Sequence, residues 1–332
     1  MAESDDRSAE ERLIARYFRP LATAPGALAL DDDAAVVTPP PGCDLVLTTD
    51  GVISGVHFLP DDAADGIGRK ALRMNLSDLA AKGAAPIGFL ISVALPAPVD
   101  EAWLAAFAAG LGDDAARYGC PLLGGDTDRT PGPLSVALSA YGVLPHGTMV
   151  RRGTAKAGDV VVVTGTIGDA ALGLLLRKDA SLAKRWRLAE AQAAQLTQRY
   201  LLPQPRNALA EAVRQHAAAA MDVSDGLAGD LAKLCRASGV AADIDAGRVP
   251  LSDAARAALA AEPALLEPIL TGGDDYEILL TLPPQRLAAF AAAAQAAGVA
   301  ATEIGRIAAG QGTRFSRDGK PLVLARPAYS HF

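Results

Sequence analysis

The sequence predicts an α+β protein of two domains, and three observations carry that expectation. At 332 residues the chain exceeds the size at which a single hydrophobic core stops growing, so it divides. Half of its residues are hydrophobic but only 5% are aromatic, and an apolar share that leans on alanine favours helices packed closely on sheets. Strand and helix signals mix without a strict βαβ cadence, which points away from a doubly wound sheet. No fixed-period repeat interrupts the pattern.

Taken in order, Ser8 and Glu11 form a capping box ahead of Leu13, Ile14, Tyr17 and Phe18, so a short first helix ends before Pro20. Two β-rich runs follow, Ala34–Thr38 and Leu45–Thr49, with Asp50 where the second stops. From Ile67 to Lys82 the spacing is helical: Leu72, Leu76 and Leu79 share one stripe, while Asn75, Asp78 and Lys82 share another face. A strand over Phe89–Leu95, a helix over Glu101–Tyr118 and a buried run Pro121–Leu123 lead to a glycine pair, Gly124 and Gly125, then Asp126. Leu134–Leu144 closes this half as a strand.

The Pro-, Gly- and Arg-containing stretch Pro145–Gly158 is the expected boundary, dividing the chain into domains 1–148 and 149–332. Beyond it the pattern predicts strands at Val160–Thr164, before Asp222, at Val240–Ile244 and at Ile278–Leu282. Helices are expected around Leu182–Tyr200, Asn207–Ala217, Leu227–Ala237 and Pro284–Ala297, ahead of a strand-rich tail.

A formal charge of −7 argues against a broad nucleic-acid surface, which needs clustered Lys and Arg. The acidic start, Met1–Glu11, lacks the basic and apolar regions of a secretory signal, so the expected location is the cytoplasm. The longest apolar stretch, Ile87–Val99, is too short to cross a bilayer as a helix, so no membrane association is expected. Cys43, Cys120 and Cys235 are scattered and lack paired spacing, so they read as reduced structural thiols.

Aspartates recur at the ends of apolar runs: Asp31, Asp32 and Asp33; Asp50; Asp126; Asp222 and Asp225; Asp274 and Asp275. Any one of them suits a turn, because Asp caps backbone donors and Gly reaches positive φ. As a set they suit hard cations, since Mg²⁺ takes oxygen ligands from a few carboxylates, waters and phosphates. Phosphoryl transfer uses that arrangement. There is no Walker A sequence, no protein-kinase catalytic loop and no complete dinucleotide fingerprint. A nucleotide would have to be met by glycine-flanked turns instead.

The strings LDDDAAVV (Leu30–Val37), TTD (Thr48–Asp50), HFLP (His57–Pro60), NLSDLAAKGA (Asn75–Ala84), GGDT (Gly124–Thr127), RRGTAKAGD (Arg151–Asp159), VTGTIGDA (Val163–Ala170), DVSDGL (Asp222–Leu227), GGDDYE (Gly272–Glu277) and the terminal SHF together resemble the ordered motifs of thiamine-monophosphate kinases. That family belongs to a superfamily with aminoimidazole-ribonucleotide synthetase and selenophosphate synthetase. The resemblance implies their two-domain fold, several Mg²⁺ ions, ATP and thiamine monophosphate as substrates, and a homodimer built through N-terminal domains, with the C-terminal domain completing the active site. It implies metal ligation by Asp33, Thr48, Thr49, Asp50, Asp78, Asp126, Asp222 and Asp225, of which Asp50, Asp78, Asp126 and Asp222 would serve catalysis through bound metal. By the same resemblance, Gly125, Asp126, Arg152 and Ser224 would bind ATP, and His57, Asp274 and Tyr329 would bind thiamine monophosphate.

Two positions depart from the family pattern. Asp31 stands where glycine is common, and Asp274 where glutamate is common. Two rival readings remain open. A sister synthetase would use the same metals, although selenophosphate synthetases carry a reactive Cys near the N-terminus and the first cysteine here is Cys43. A hydrogenase-maturation protein would present a C-terminal cysteine, where this chain has His331 and Phe332.

Overall fold

The computed structural model describes residues 8–98 and 100–325. Tyr329, His331 and Phe332 lie outside the described residues. The chain forms two compact units, one reaching Leu79 and including Ala85–His146, the other comprising Ala80–Ala84 and the chain from Gly147 onward. Among the described residues no helix is long and apolar enough to cross a membrane.

In the first unit, Ser8 caps α1 (Ala9–Leu13) by accepting from the Glu11 N–H while Glu11 accepts from the Ser8 N–H. A π-helical turn, Ile14–Phe18, continues it up to the proline. There follow β1 (Cys43–Ile53), α2 (Ala64–Lys82), β2 (Ala85–Pro96), α3 (Glu101–Tyr118), β3 (Leu122–Thr130) and β4 (Ser135–Pro145). The sheet runs β1-β4-β2-β3, with β3 parallel to β2 and the other pairs antiparallel. Asp100 caps α3 and left-handed Gly119 ends it.

The second unit holds β5 (Val160–Thr164), α4 (Asp169–Lys178), α5 (Leu182–Arg185), α6 (Glu190–Leu201), α7 (Ala210–His216), β6 (Ala219–Asp222), α8 (Leu227–Ser238) and β7 (Ala241–Asp245). It continues through α9 (Asp253–Ala261), α10 (Leu266–Thr271), β8 (Ile278–Leu282), α11 (Leu287–Ala296), β9 (Ala301–Ala308), β10 (Gly312–Arg317) and β11 (Lys320–Leu322). These strands form one mixed sheet in the order β11-β10-β7-β9-β5-β8-β6.

The two-residue period of a strand explains why this sheet is buried on both sides. Val161 and Val163 of β5 join Leu227, Leu231 and Leu279 in one core, whereas Val160 and Val162 join Val213, Leu280 and Phe290 in another. A third cluster gathers Leu172, Trp186, Leu196 and Ala258 between the helices.

Four local expectations are corrected. Ala34–Thr38 is not a strand; it runs mostly exposed, tied by the Val36 N–H to the Gly26 carbonyl. β1 does not stop at Asp50 but continues to Ile53, because Asp50–Ile53 stay in register with Ser135–Leu138 of β4. Gly124–Thr127 is strand, not turn, pairing with Leu90–Val93. The helical stretch around Leu182–Tyr200 is broken, with Arg187 in the left-handed region at φ 55°. Helices α9 and α10 lay unread in the sequence, although Ser252 caps α9 by accepting from the Ala255 N–H.

Helices α2 and α3 approach so closely that glycine is required on both. A Cβ at Gly68 would lie 2.6 Å from the Phe107 carbonyl oxygen, and one at Gly110 would lie 2.2 Å from that of Asp65. Gly110→Ala must push the helices apart and should cost about 1–3 kcal/mol, as other overpacked contacts do. A thermal melt should show a Tm several degrees below the parent protein; an unchanged Tm would mean that this crossing is looser than described.

Candidate active site

Strand β1 distributes its polar residues by parity. Thr48 and Asp50 point to the same side as buried Val46 and Val52, while Thr49 shares the opposite side with exposed Leu45 and Leu47. Thr48 donates its hydroxyl to Asp78 Oδ2 at 2.5 Å, which brings the strand and α2 together at two oxygen donors. Asp78 is part-exposed although its neighbours Ser77 and Leu79 are buried. Thr49 is occupied elsewhere: it donates to the Leu138 carbonyl at 3.1 Å and accepts from Ser139 at 3.0 Å.

A cavity of about 800 Å³ opens in the first unit. Its walls are apolar, with Phe18, Leu90, Ile91 and Leu122 among them, and Asp33, Gly125 and Asp126 lie in its lining. Asp126 is exposed on β3, opposite Ser92, and its Oδ1 accepts from the Thr127 N–H at 2.8 Å. The glycine at 125 answers to the sheet: a Cβ there would stand 2.0 Å from the Ile91 carbonyl oxygen. Asp31 sits at φ −101°, so replacing a common glycine costs no strain, and its carboxylate pairs with Arg19.

His57 lies in the turn after β1. The Ile53 N–H donates to its Nδ1 at 3.1 Å, which requires that nitrogen to be unprotonated and leaves Nε2 as the N–H donor of the neutral ring. Lys70 bonds the His57 carbonyl at 2.8 Å and fixes the turn from below.

In the second unit Asp222 ends β6, and the loop after it carries Ser224 and Asp225. The backbone N–H groups of Ser224 and Asp225 both donate to buried Asp230 Oδ2, at 3.0 and 2.9 Å. Lys233 bridges Asp225 and Asp230. Burial opposes its charge, yet hydrogen bonds to those two carboxylates outweigh it and hold the ammonium above the usual lysine value. Lys233 was not read from the sequence, though its three-residue spacing from Asp230 on one helix was available. Asp274 is in the left-handed region at φ 71°, and its N–H donates to the Ser224 carbonyl at 2.9 Å. Arg152 is exposed, its carbonyl accepting from Ser238. Tyr329 lies outside the described residues. Among the described residues, no three His, Cys, Asp or Glu side chains stand close enough together to hold a metal ion by themselves.

Neither buried thiol is poised to react. Burial pushes Cys120 up to about 12 and Cys235 up to about 11, and neither is a thiolate near neutral pH. Titration of the native protein with a disulfide reagent should therefore show rapid reaction only at part-exposed Cys43, with Cys120 and Cys235 appearing after denaturation. Three equally fast thiols would contradict this packing.

Comparison with known proteins matches the family of AIR synthase related proteins, by its N-terminal domain over residues 31–144 and its C-terminal domain over residues 156–318. The thiamine-monophosphate kinase of Caulobacter vibrioides is 44% identical over 322 residues, spanning 96% of this chain and 89% of that protein. The crystal structure of thiamine-monophosphate kinase from Stenotrophomonas maltophilia superposes with a TM-score of 0.82 at 38% identity, covering 96% of this chain and 98% of that one. A structure described as AaThiL complexed with AMPPCP and TMP gives 0.76 at 32% identity, covering 91% of each chain. With identity of this level sustained over nearly its whole length, the chain belongs to the thiamine-monophosphate kinase family.

Proposed function

We propose that this protein transfers the γ-phosphoryl group of ATP to thiamine monophosphate, giving thiamine diphosphate and ADP. The observation that carries the reading is the apolar cavity bordered by Asp33, Gly125 and Asp126, in a chain 32% identical to a protein solved with AMPPCP and TMP. Apolar walls suit a flat heterocycle and the acidic end suits metal-bound phosphates.

The donor set fits magnesium. Asp33, Asp50, Asp78, Asp126, Asp222 and Asp225, with the threonines Thr48 and Thr49, offer oxygen alone, in ones and twos, and Mg²⁺ completes such sites with water and phosphate oxygens. Bound there, the ions would neutralise charge on the transferred group and align it with its acceptor. The protein's own groups do the rest. The Arg152 guanidinium meets phosphate charge and the Ser224 hydroxyl holds a phosphate oxygen. His57 presents an Nε2–H donor, and Asp274 and Tyr329 orient the thiamine moiety.

Transfer is direct and in line: a terminal phosphate oxygen of thiamine monophosphate attacks the γ-phosphorus, and the β–γ bridging oxygen leaves with ADP. The attacking oxygen is already anionic, so no strong base is required. Two of the three cysteines are buried and reluctant to ionise, which agrees with the absence of a phosphoenzyme. A homodimer built through the first unit is part of the reading. β1 is a sheet edge, and Leu45 and Leu47 are exposed on one of its faces at 37% and 62%, an apolar stripe suited to burial against a second copy.

Incubation with Mg²⁺, ATP and thiamine monophosphate should give ADP and thiamine diphosphate in equal amounts. Free phosphate equal to ADP, or a labelled protein that passes its label on, would exclude this mechanism. Asp126→Asn keeps the side-chain shape on an exposed strand but removes the charge, so kcat should fall by about 10² to 10³ with Tm unchanged or slightly raised. A loss below about threefold at high Mg²⁺ would remove Asp126 from the catalytic set. Melting temperature should rise with Mg²⁺ and a non-hydrolysable ATP analogue together; no shift at millimolar Mg²⁺ and saturating analogue would argue against the metal assignment. For the dimer, Leu47→Glu should yield monomers by light scattering, and an unaltered mass would place the interface elsewhere.

A further inference from the structure

The chemistry above gives no part to Glu277, yet it is fully buried at 0% exposure and is held by Thr164 and by two guanidiniums, those of Arg199 and Arg206. It accepts from Thr164 Oγ1 at 2.8 Å, from an Arg199 guanidinium nitrogen at 2.8 Å and from Arg206 Nε at 2.6 Å, with a second Arg206 nitrogen completing a two-pronged contact. A Cβ at Gly165 would stand 2.1 Å from its Oε1, so the end of β5 is shaped around this carboxylate.

The same residue anchors a backbone zipper. The Val223 N–H donates to the Glu277 carbonyl at 2.8 Å, the Tyr276 N–H to the Val223 carbonyl at 2.8 Å, and the Asp274 N–H to the Ser224 carbonyl at 2.9 Å. Gly273 closes it: a Cβ there would lie 2.3 Å from the Ser224 carbonyl oxygen. Within this short segment two non-glycine residues, Asp274 at φ 71° and Tyr276 at φ 50°, occupy the left-handed region. Such residues persist only where their surroundings over-determine them. The partner loop has an anchor of its own, since Asp230 holds the N–H groups of Ser224 and Asp225.

We propose that the Glu277 side chain, clamped by Arg199 and Arg206, is a positioning group that sets Asp274 for the thiamine substrate, while the nucleotide-side loop, which the zipper meets at Val223 and Ser224, keeps its place through its separate anchor at Asp230. The inference rests on the substrate role proposed for Asp274. It predicts a split between the two substrates that general destabilisation would not produce.

The test is steady-state kinetics of the full-length protein, varying each substrate in turn, for Glu277→Gln, Arg206→Gln, Asp274→Ala and the double variant Asp274→Ala with Glu277→Gln. Arg206 is only part-buried, so Arg206→Gln keeps the test alive if Glu277→Gln fails to fold. Both single clamp variants should raise KM for thiamine monophosphate by about tenfold or more and leave KM for ATP within about twofold. The double variant should be no worse than Asp274→Ala alone, because a residue acting through another is not additive with it. A lowered Tm with both KM values unchanged makes Glu277 merely structural and overturns the proposal. Equal increases in both KM values, or full additivity in the cycle, also overturn it. If Asp274→Ala itself leaves KM for thiamine monophosphate unchanged, the substrate role fails and takes this inference with it. If Asp274→Ala raises that KM and the clamp variants do not, the inference alone fails.

Discussion

A carboxylate with no exposure to water needs fixed cations and donors in place of the solvent it has lost, and in the second unit two guanidiniums supply them at Glu277. Much of the local architecture follows from this requirement. Helix α6 brings Arg199 to the end of β5, the chain after it brings Arg206, and Thr164 turns its hydroxyl inward. The loop before β8 then has a rigid base, so its left-handed residues are held rather than merely permitted. Next to it Asp275 is buried as well and accepts from the Gly168 and Ala170 N–H groups at the start of α4. Burial drives its carboxyl well above the ordinary range, and the Gly168 N–H and the charge of Arg199 only partly offset it.

The first unit handles polar groups differently. Helix α2 is buried nearly all round, including Lys70, Arg73, Asn75 and Ser77. Arg73 pairs with fully buried Asp114 through two bonds, at 2.5 and 2.9 Å, and Asn75 donates to the Ala71 carbonyl. A helix with matched ions inside it has little contrast between its faces, and its sequence reads as more amphipathic than its surroundings are. The polar face expected of Asn75, Asp78 and Lys82 is therefore only partly open, with Asp78 the part-exposed residue that meets Thr48.

What could be read in advance follows from how local each determinant is. The strand Val160–Thr164 and the helix Glu101–Tyr118 were legible to the residue, because an unbroken β-branched run and a capped, glycine-ended helix define themselves. The ordered motifs likewise led to the family. Gly124–Thr127 misled, since a glycine pair before an aspartate has the composition of a turn; here Gly125 is set by the β2 carbonyl against which it packs. Ala34–Thr38 misled in the opposite sense, having strand composition with no strand beside it. The string GGDDYE drew attention to Asp274, but the partners that make its last residue important lie 71 and 78 positions away. No window of sequence contains that relation.

Strand β1 carries two unrelated duties on alternate residues, oxygen donors at Thr48 and Asp50 and an apolar stripe at Leu45 and Leu47. The arrangement imposes an arithmetic on how this segment can change over time. Inserting or deleting one residue ahead of Thr48 exchanges the two faces at a stroke, sending the hydroxyl outward and a leucine toward Asp78. A change of two residues restores the alternation. Length variation in this strand is thus restricted to even steps, while each face remains free to drift in composition independently of the other.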